Sequence, residues 1–220
     1  MKSPLLSLLL VPIAAGTAFA DTSFQFSSFG SSSLIFQGTG NELYFAPDVS
    51  GYDFQISNAS IAGLNGLFGT ISGTFTIENP VASGSLQQAT VSGIGTLTIY
   101  DGQSSYLTAN IWWGDALTVG AVGALNSNDN TNVNHISYSG ANVALQQLAA
   151  NTSGSDVVSF QFTPPESLMQ LTQDGSLNTT TYSGSLTAVP EPGTYALLIG
   201  GCTLVGTIAL RRRSKTAPAV

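Results

Sequence analysis

The middle of the chain alternates apolar and polar positions with a period of two. Tyr52, Phe54 and Ile56 are separated by Asp53 and Gln55, Phe75 and Ile77 by Thr76, Leu97 and Ile99 by Thr98, and Val158, Phe160 and Phe162 by Ser159 and Gln161. Such alternation marks half-buried antiparallel strands, with one face on a core and the other in water. The polar partners are mostly Thr, Ser and Gln rather than charged residues, and Thr and the aromatics suit a pleated surface. Asn65-Gly66, Asp101-Gly102 and Asp174-Gly175 supply turn chemistry between the runs. The pattern predicts about eleven strands, centred near residues 25, 35, 44, 54, 75, 98, 110, 136, 160, 171 and 184. Ala141 to Ala150 is different: Val143, Leu145 and Leu148 sit among good helix formers after the Ser139-Gly140 turn, which predicts one short helix. Strands in series, with turns and without βαβ alternation, predict an all-β fold. We expect an antiparallel two-sheet sandwich or jelly-roll-like body over residues 21–188.

The two ends break this pattern. Lys2, the apolar run from Leu5 to Ala15 and the small-residue site Ala18-Phe19-Ala20 have the order and lengths of a signal peptide over residues 1–20, with the mature chain starting at Asp21. Near the other end, Thr194 to Leu210 is an uncharged stretch of 17 residues. As a helix it would span roughly 25 Å, the short end of what a bilayer requires, so a transmembrane helix is predicted at 194–210. Tyr195 takes an interfacial position, and Arg211, Arg212, Arg213 and Lys215 form a basic stop. The positive-inside bias keeps these residues and the 214–220 tail cytoplasmic and places the body outside. Pro190 and Pro192 hold the chain extended just before the span.

Charge sharpens the division. All five basic residues lie at the termini, whereas eleven of the twelve acids lie between Asp21 and Asp174. The body therefore carries a formal −11, against −7 for the whole chain. Nucleic acid is excluded as a partner, because neutralising phosphates needs Lys or Arg. Stability must come from apolar burial and backbone pairing, since the body has no Lys or Arg with which to form ion pairs. The only cysteine, Cys202, lies in the C-terminal apolar run, so no intrachain disulfide forms, and one Cys with one His cannot build a zinc site.

Pro190-Glu191-Pro192, an apolar span and Arg211-Arg212-Arg213, in that order over residues 189–213 near the chain end, resemble the PEP-CTERM sorting signal. The resemblance covers roughly the last 30 residues, a membrane span and its flanks. It implies recognition by an exosortase-type membrane processing enzyme. It further implies an inner-membrane intermediate and delivery to the cell surface or the extracellular matrix of a polysaccharide-producing, biofilm-forming bacterium. A plain membrane anchor accounts for the span and the arginines and leaves the Pro-Glu-Pro unexplained. The resemblance carries no information on the body.

Candidate chemistry in the body is sparse. The one histidine, His135, lies on a strand pattern, and no GxSxG elbow or phosphate-binding loop occurs. Two facing carboxylates would suffice for a glycan-active enzyme, but the acids are largely accounted for by turns. The Asn126–Asn132 segment, with Asp129 between alternating Asn oxygens, offers oxygen ligands to calcium without the EF-hand pattern. Trp112 and Trp113 are adjacent, so one should face the core and the other, near Asp115, is free to stack on a sugar. The reading is a non-enzymatic exported structural or adhesive protein. A carbohydrate-binding module of the polysaccharide matrix is the alternative and a secreted glycan-active enzyme the weaker one.

Overall fold

The structure, a computed structural model, describes residues 21–126 and 131–189. The predicted signal peptide and the predicted transmembrane helix lie outside these residues; among the described residues no helix is long and apolar enough to cross a membrane. Strands β1 (Thr22–Ser28), β2 (Ser33–Gln37), β3 (Glu42–Ala46) and β4 (Phe54–Ser57) open the chain. They are followed by β5 (Phe68–Ser72), β6 (Thr74–Ile77), β7 (Val81–Ser83), β8 (Leu86–Ser92), β9 (Gly95–Tyr100) and β10 (Tyr106–Ile111). Then come β11 (Asp115–Val119), β12 (Val122–Asn126), β13 (Val133–Ser137), helix α1 (Val143–Ala149), β14 (Ser153–Gln161), helix α2 (Leu168–Leu171), β15 (Leu177–Thr180) and β16 (Tyr182–Val189).

All recorded pairings are antiparallel. The strands form one connected sheet, and part of it closes on itself. From β1 the ladder runs through β4, β5, β9, β10 and β13 to β14, then through β16 back to β1. Strand β14 is the branch point: its first residues pair with β13, while Val158 to Gln161 pair with β12. From there a second run continues through β11, β8, β6, β3 and β2 to β15. The result is a barrel-like ring with a second layer folded over it. Phe36 of β2 reaches Phe160 and Phe162, and Phe45 of β3 reaches Tyr182 of β16, with ring centroids 4.9 to 5.7 Å apart. Closure leaves the eight strands of the ring without a free edge, while β15 and β7 each pair on one side only.

The core follows the alternation. Phe24 and Phe26, Phe54 and Ile56, Leu97 and Ile99, and Val158 and Phe160 are all buried, and they belong to one contiguous cluster. Three phenylalanines lie over a cross-strand glycine: Phe26 over Gly184, Phe54 over Gly69 and Phe160 over Gly123. A methyl at any of these glycines would run into the ring, so the glycine is where close approach is needed. Gly66, Gly102 and Gly175 of the predicted turns adopt φ of 84, 83 and 79°, the left-handed region that glycine supplies at low cost.

One predicted strand is replaced by a helical turn, and the predicted helix is borne out. The segment near residue 171 is not a strand but the single-turn α2, with Ser167 and Gln170 forming a capping box and Leu168 and Leu171 buried. The predicted helix at 141–150 is realised as Val143–Ala149, where the Asn142 side chain accepts from the Ala144 and Leu145 amides at 3.0 and 3.2 Å.

Candidate functional site: an uncharged aromatic and hydroxyl face

Register places the chemistry. On the outer face of β5–β9–β10, Thr70, Thr98 and Thr108 form one transverse row, and Ser72, Thr96 and Asn110 form another. One step beyond the Gly69–Ile99 pair, Phe68 lies beside Tyr100, and Tyr100 pairs with Tyr106. The three aromatics complete a third row across the same face. Their neighbours Gly69, Ile99 and Leu107 point inward and are buried, so alternation turns the rings outward.

Tyr52 joins this row from the loop before β4. The loop is held by Asp48, whose amide donates to the Tyr52 carbonyl at 2.9 Å and whose Oδ1 accepts from Ser50. The next residue, Asp53, donates its amide to the Gly69 carbonyl at 2.9 Å, locking the loop to β5. Tyr52 then lies nearly parallel to Phe68, with centroids 5.1 Å apart and planes at 24°, and to Tyr100, at 6.2 Å and 21°. Tyr106 flanks Tyr100 at 5.2 Å, and Phe29 meets Phe68 edge-on at 4.7 Å. An open cleft of about 230 Å³ is lined by Tyr52, Phe68, Tyr100, Leu67 and the turn glycines Gly66 and Gly102. The Tyr100 hydroxyl donates to the Gln103 carbonyl at 2.6 Å. Burial, helped by Tyr52, Tyr106 and Asp101, pushes the Tyr100 phenol above its ordinary range, so that ring stays neutral at physiological pH.

A second polar face spans β4, β1, β16 and β14, with rows Gln55–Ser27–Ser183–Ser159 and Ser57–Gln25–Ser185–Val157. A broader cleft of about 450 Å³ adjoins it, but its rings, Phe160 and Tyr182, are buried. It offers hydroxyls and amides without an exposed aromatic.

Two of the buried carboxyls, Asp53 and Asp156, are pushed upward by their burial. Asp53 receives the Ile71 amide at Oδ2, 2.6 Å away, and its backbone carbonyl accepts from the Tyr182 hydroxyl at 2.8 Å. Burial pushes Asp53 up to about 6 against the pull of that amide. Asp156 is more extreme. Burial raises it to about 8, and the indole N–H of Trp113 opposes this only in part. Neither Asp156 oxygen nor Trp113 Nε1 completes a hydrogen bond within normal geometry. Both carboxyls face the core, so they are structural oddities rather than a cleft chemistry.

The residues singled out in the sequence fare unevenly. Trp113 is 1% exposed and packed against Phe45 and Phe75, at 5.5 and 4.8 Å, so it is unavailable to a sugar. Trp112 is half-buried, and Asp115 beside it is buried. Both tryptophans lie in the link between β10 and β11. His135 is exposed at a bulge in β13 with φ of 53°, its Nδ1 against Asn134 Oδ1 at 2.7 Å. Asn132, proposed as a calcium ligand, is fully buried and spends its side chain on Asp156: Nδ2 donates to the Asp156 carbonyl at 2.9 Å, and Oδ1 accepts the Asp156 amide at 2.6 Å. Asn128, Asp129 and Asn130 lie outside the described residues. Among the described residues no group of three or more His, Cys, Asp or Glu is placed to hold a metal. Asp101 serves its turn, with Oδ1 accepting the Gln103, Ser104 and Ser105 amides. The aromatic row was missed because its members lie at positions 52, 68, 100 and 106, which only the register brings together.

Pro190, Glu191, Pro192 and Arg211 to Arg213 lie outside the described residues. No curated protein and no solved structure matches the chain. A family model described as the PEP-CTERM protein-sorting motif matches residues 188–213, the segment whose Pro-Glu-Pro, apolar span and arginines resemble that signal. Exosortase, a membrane processing enzyme, recognises motifs of this type, which implies export and membrane-associated sorting. The chain carries a PEP-CTERM protein-sorting motif at its C-terminal end.

Proposed function

We propose that this chain is a non-catalytic structural or adhesive protein of the cell surface or extracellular matrix, released from an inner-membrane intermediate by an exosortase-type enzyme. The observation that carries the reading is the sorting motif at 188–213, which begins in the last two residues of β16. Three features support it. The signal-type N-terminus gives the same orientation as the arginines at the other end. The body holds no Lys or Arg, which suits a solvated, non-aggregating exported domain rather than a nucleic-acid binder. The outer faces carry hydroxyls and amides in ordered rows, the chemistry of a wet contact surface.

The test is substitution of the signal in the native cell. With Pro190→Ala and Pro192→Ala together, the full-length precursor is expected to accumulate in the membrane fraction and the surface pool to fall. Undiminished surface delivery of the double variant would overturn the reading.

A further inference from the structure

We propose that the outer face of β5–β9–β10 is a binding site for an uncharged polysaccharide, with Tyr52, Phe68 and Tyr100 as the stacking platform. The inference deepens the surface or matrix reading, on which it rests, by giving the body a ligand class and a place to hold it. The three rings offer the apolar surface that sugar stacking requires, along the cleft they line. The C–H face of a pyranose is apolar and packs on an aromatic face, while its hydroxyls need partners around the edge. Here two rings lie within 24° of the Tyr52 plane and together they line an open cleft. Gly66 and Gly102 rim that cleft, and a side-chain carbon at either would meet nothing within 4 Å, so its mouth is uncovered.

The edge partners are present. Beyond the aromatic row come Thr70–Thr98–Thr108 and Ser72–Thr96–Asn110, all on the same face and all uncharged. Among the described residues, the Tyr52 and Tyr106 hydroxyls have no hydrogen-bond partner within the protein, and Tyr106 is 54% exposed. A chain running along the strands would meet rings first and then hydroxyls and an amide. Charge selects the occupant. With eleven acids and no Lys or Arg between Asp21 and Asp174, the body repels uronate, sulfate and phosphate polymers, which leaves neutral glycans. The serine-rich face on β1–β16–β14 lacks exposed rings and is not part of the site.

The probes are laminarin, hydroxyethylcellulose and xylan, with alginate as the anionic control, added to the full-length chain in mild detergent. Affinity electrophoresis and calorimetry read binding. We expect at least one neutral glycan to bind and alginate not to bind. Tyr52→Ala with Tyr100→Ala should weaken binding at least tenfold, while Tyr52→Phe with Tyr100→Phe retains most of it. Unchanged melting of each variant would show that the fold is intact. No binding to any neutral glycan, equal binding to alginate, or full binding by the double alanine variant would each overturn the proposal. So would self-association abolished by Tyr100→Ala without any glycan response, since the face would then join two copies. Sorting is read by cell fractionation, so failure of the glycan site and failure of the export reading are separable.

Discussion

Asp156 makes the body's stability depend on pH in an unusual direction. Its carboxyl is 1% exposed, has no basic residue near it and finds no hydrogen bond within normal geometry. Burial therefore disfavours the ionised form and raises the group from 3.8 to about 8. The folded state keeps a proton that the unfolded chain releases above pH 3.8. Stability is then full below the unfolded value and falls as pH rises towards about 8. At about 1.4 kcal/mol per pH unit, the loss between pH 4 and pH 7 is on the order of 4 kcal/mol. For a domain of this size that corresponds to roughly 8–15 °C of melting temperature. Asp53, raised to about 6, adds a loss of the same sign that ends near pH 6. Mutual repulsion of the ionised acids also acts in that direction, so wild-type melting alone would not isolate Asp156. Asp156→Asn does, because the amide is neutral at every pH. Melting by circular dichroism at pH 4, 6 and 8 should show the variant close to wild type at pH 4 and more stable by about 4 kcal/mol near pH 7. Parallel melting profiles for the two proteins would refute the reasoning.

Three further substitutions probe the frame around the site. Asn132→Ala strips both backbone partners from Asp156 and leaves a buried N–H and C=O unpaired, so denaturant unfolding should show a loss of about 2–5 kcal/mol. Gly184→Ala drives a methyl into the Phe26 ring at the β1–β16 seam and should cost about 1–3 kcal/mol in the same assay, with partial recovery when combined with Phe26→Leu. Tyr138→Phe removes the hydroxyl that donates to Asp101 Oδ2 at 2.9 Å and accepts the Asn142 amide at 3.0 Å. Denaturant unfolding should show a loss of stability at neutral pH that shrinks once acid protonates Asp101, whose carboxyl the Tyr138 hydroxyl helps hold below its ordinary range.

The fold class was legible because the alternation is strict where strands are half-buried. Leu97, Ile99, Val158 and Phe160 point inward, with Thr98 and Ser159 between them. Strands β5, β7, β8, β11, β12 and β15 escaped, and in β5, β11 and β12 the reason is a diluted pattern. Gly69 and Gly123 occupy inward positions whose volume is filled by Phe54 and Phe160 from the neighbouring strand, and buried Asp115 stands where an apolar residue would be expected. The α2 segment misled because Leu168 and Leu171 are the only buried anchors of a single turn, too short for a helical period to emerge. Ring closure rests on β13 pairing with β14 across the α1 connection, a long-range contact that local pattern does not encode. The candidate site was the least legible part. The adjacent tryptophans drew attention, yet Trp113 fills the core, whereas Tyr52, Phe68, Tyr100 and Tyr106 become a surface only through register. The sorting motif was the most legible, because it is read as a linear string at the chain's end.

The most direct test of export and sorting is the intact mass of the protein recovered from the surface and medium of its native cell. We expect a mature species that begins at Asp21 and lacks the segment beyond the Pro190 region. A species that retains Thr194 to Val220 and occurs only in the inner membrane would contradict sorting and leave a membrane-anchored β domain.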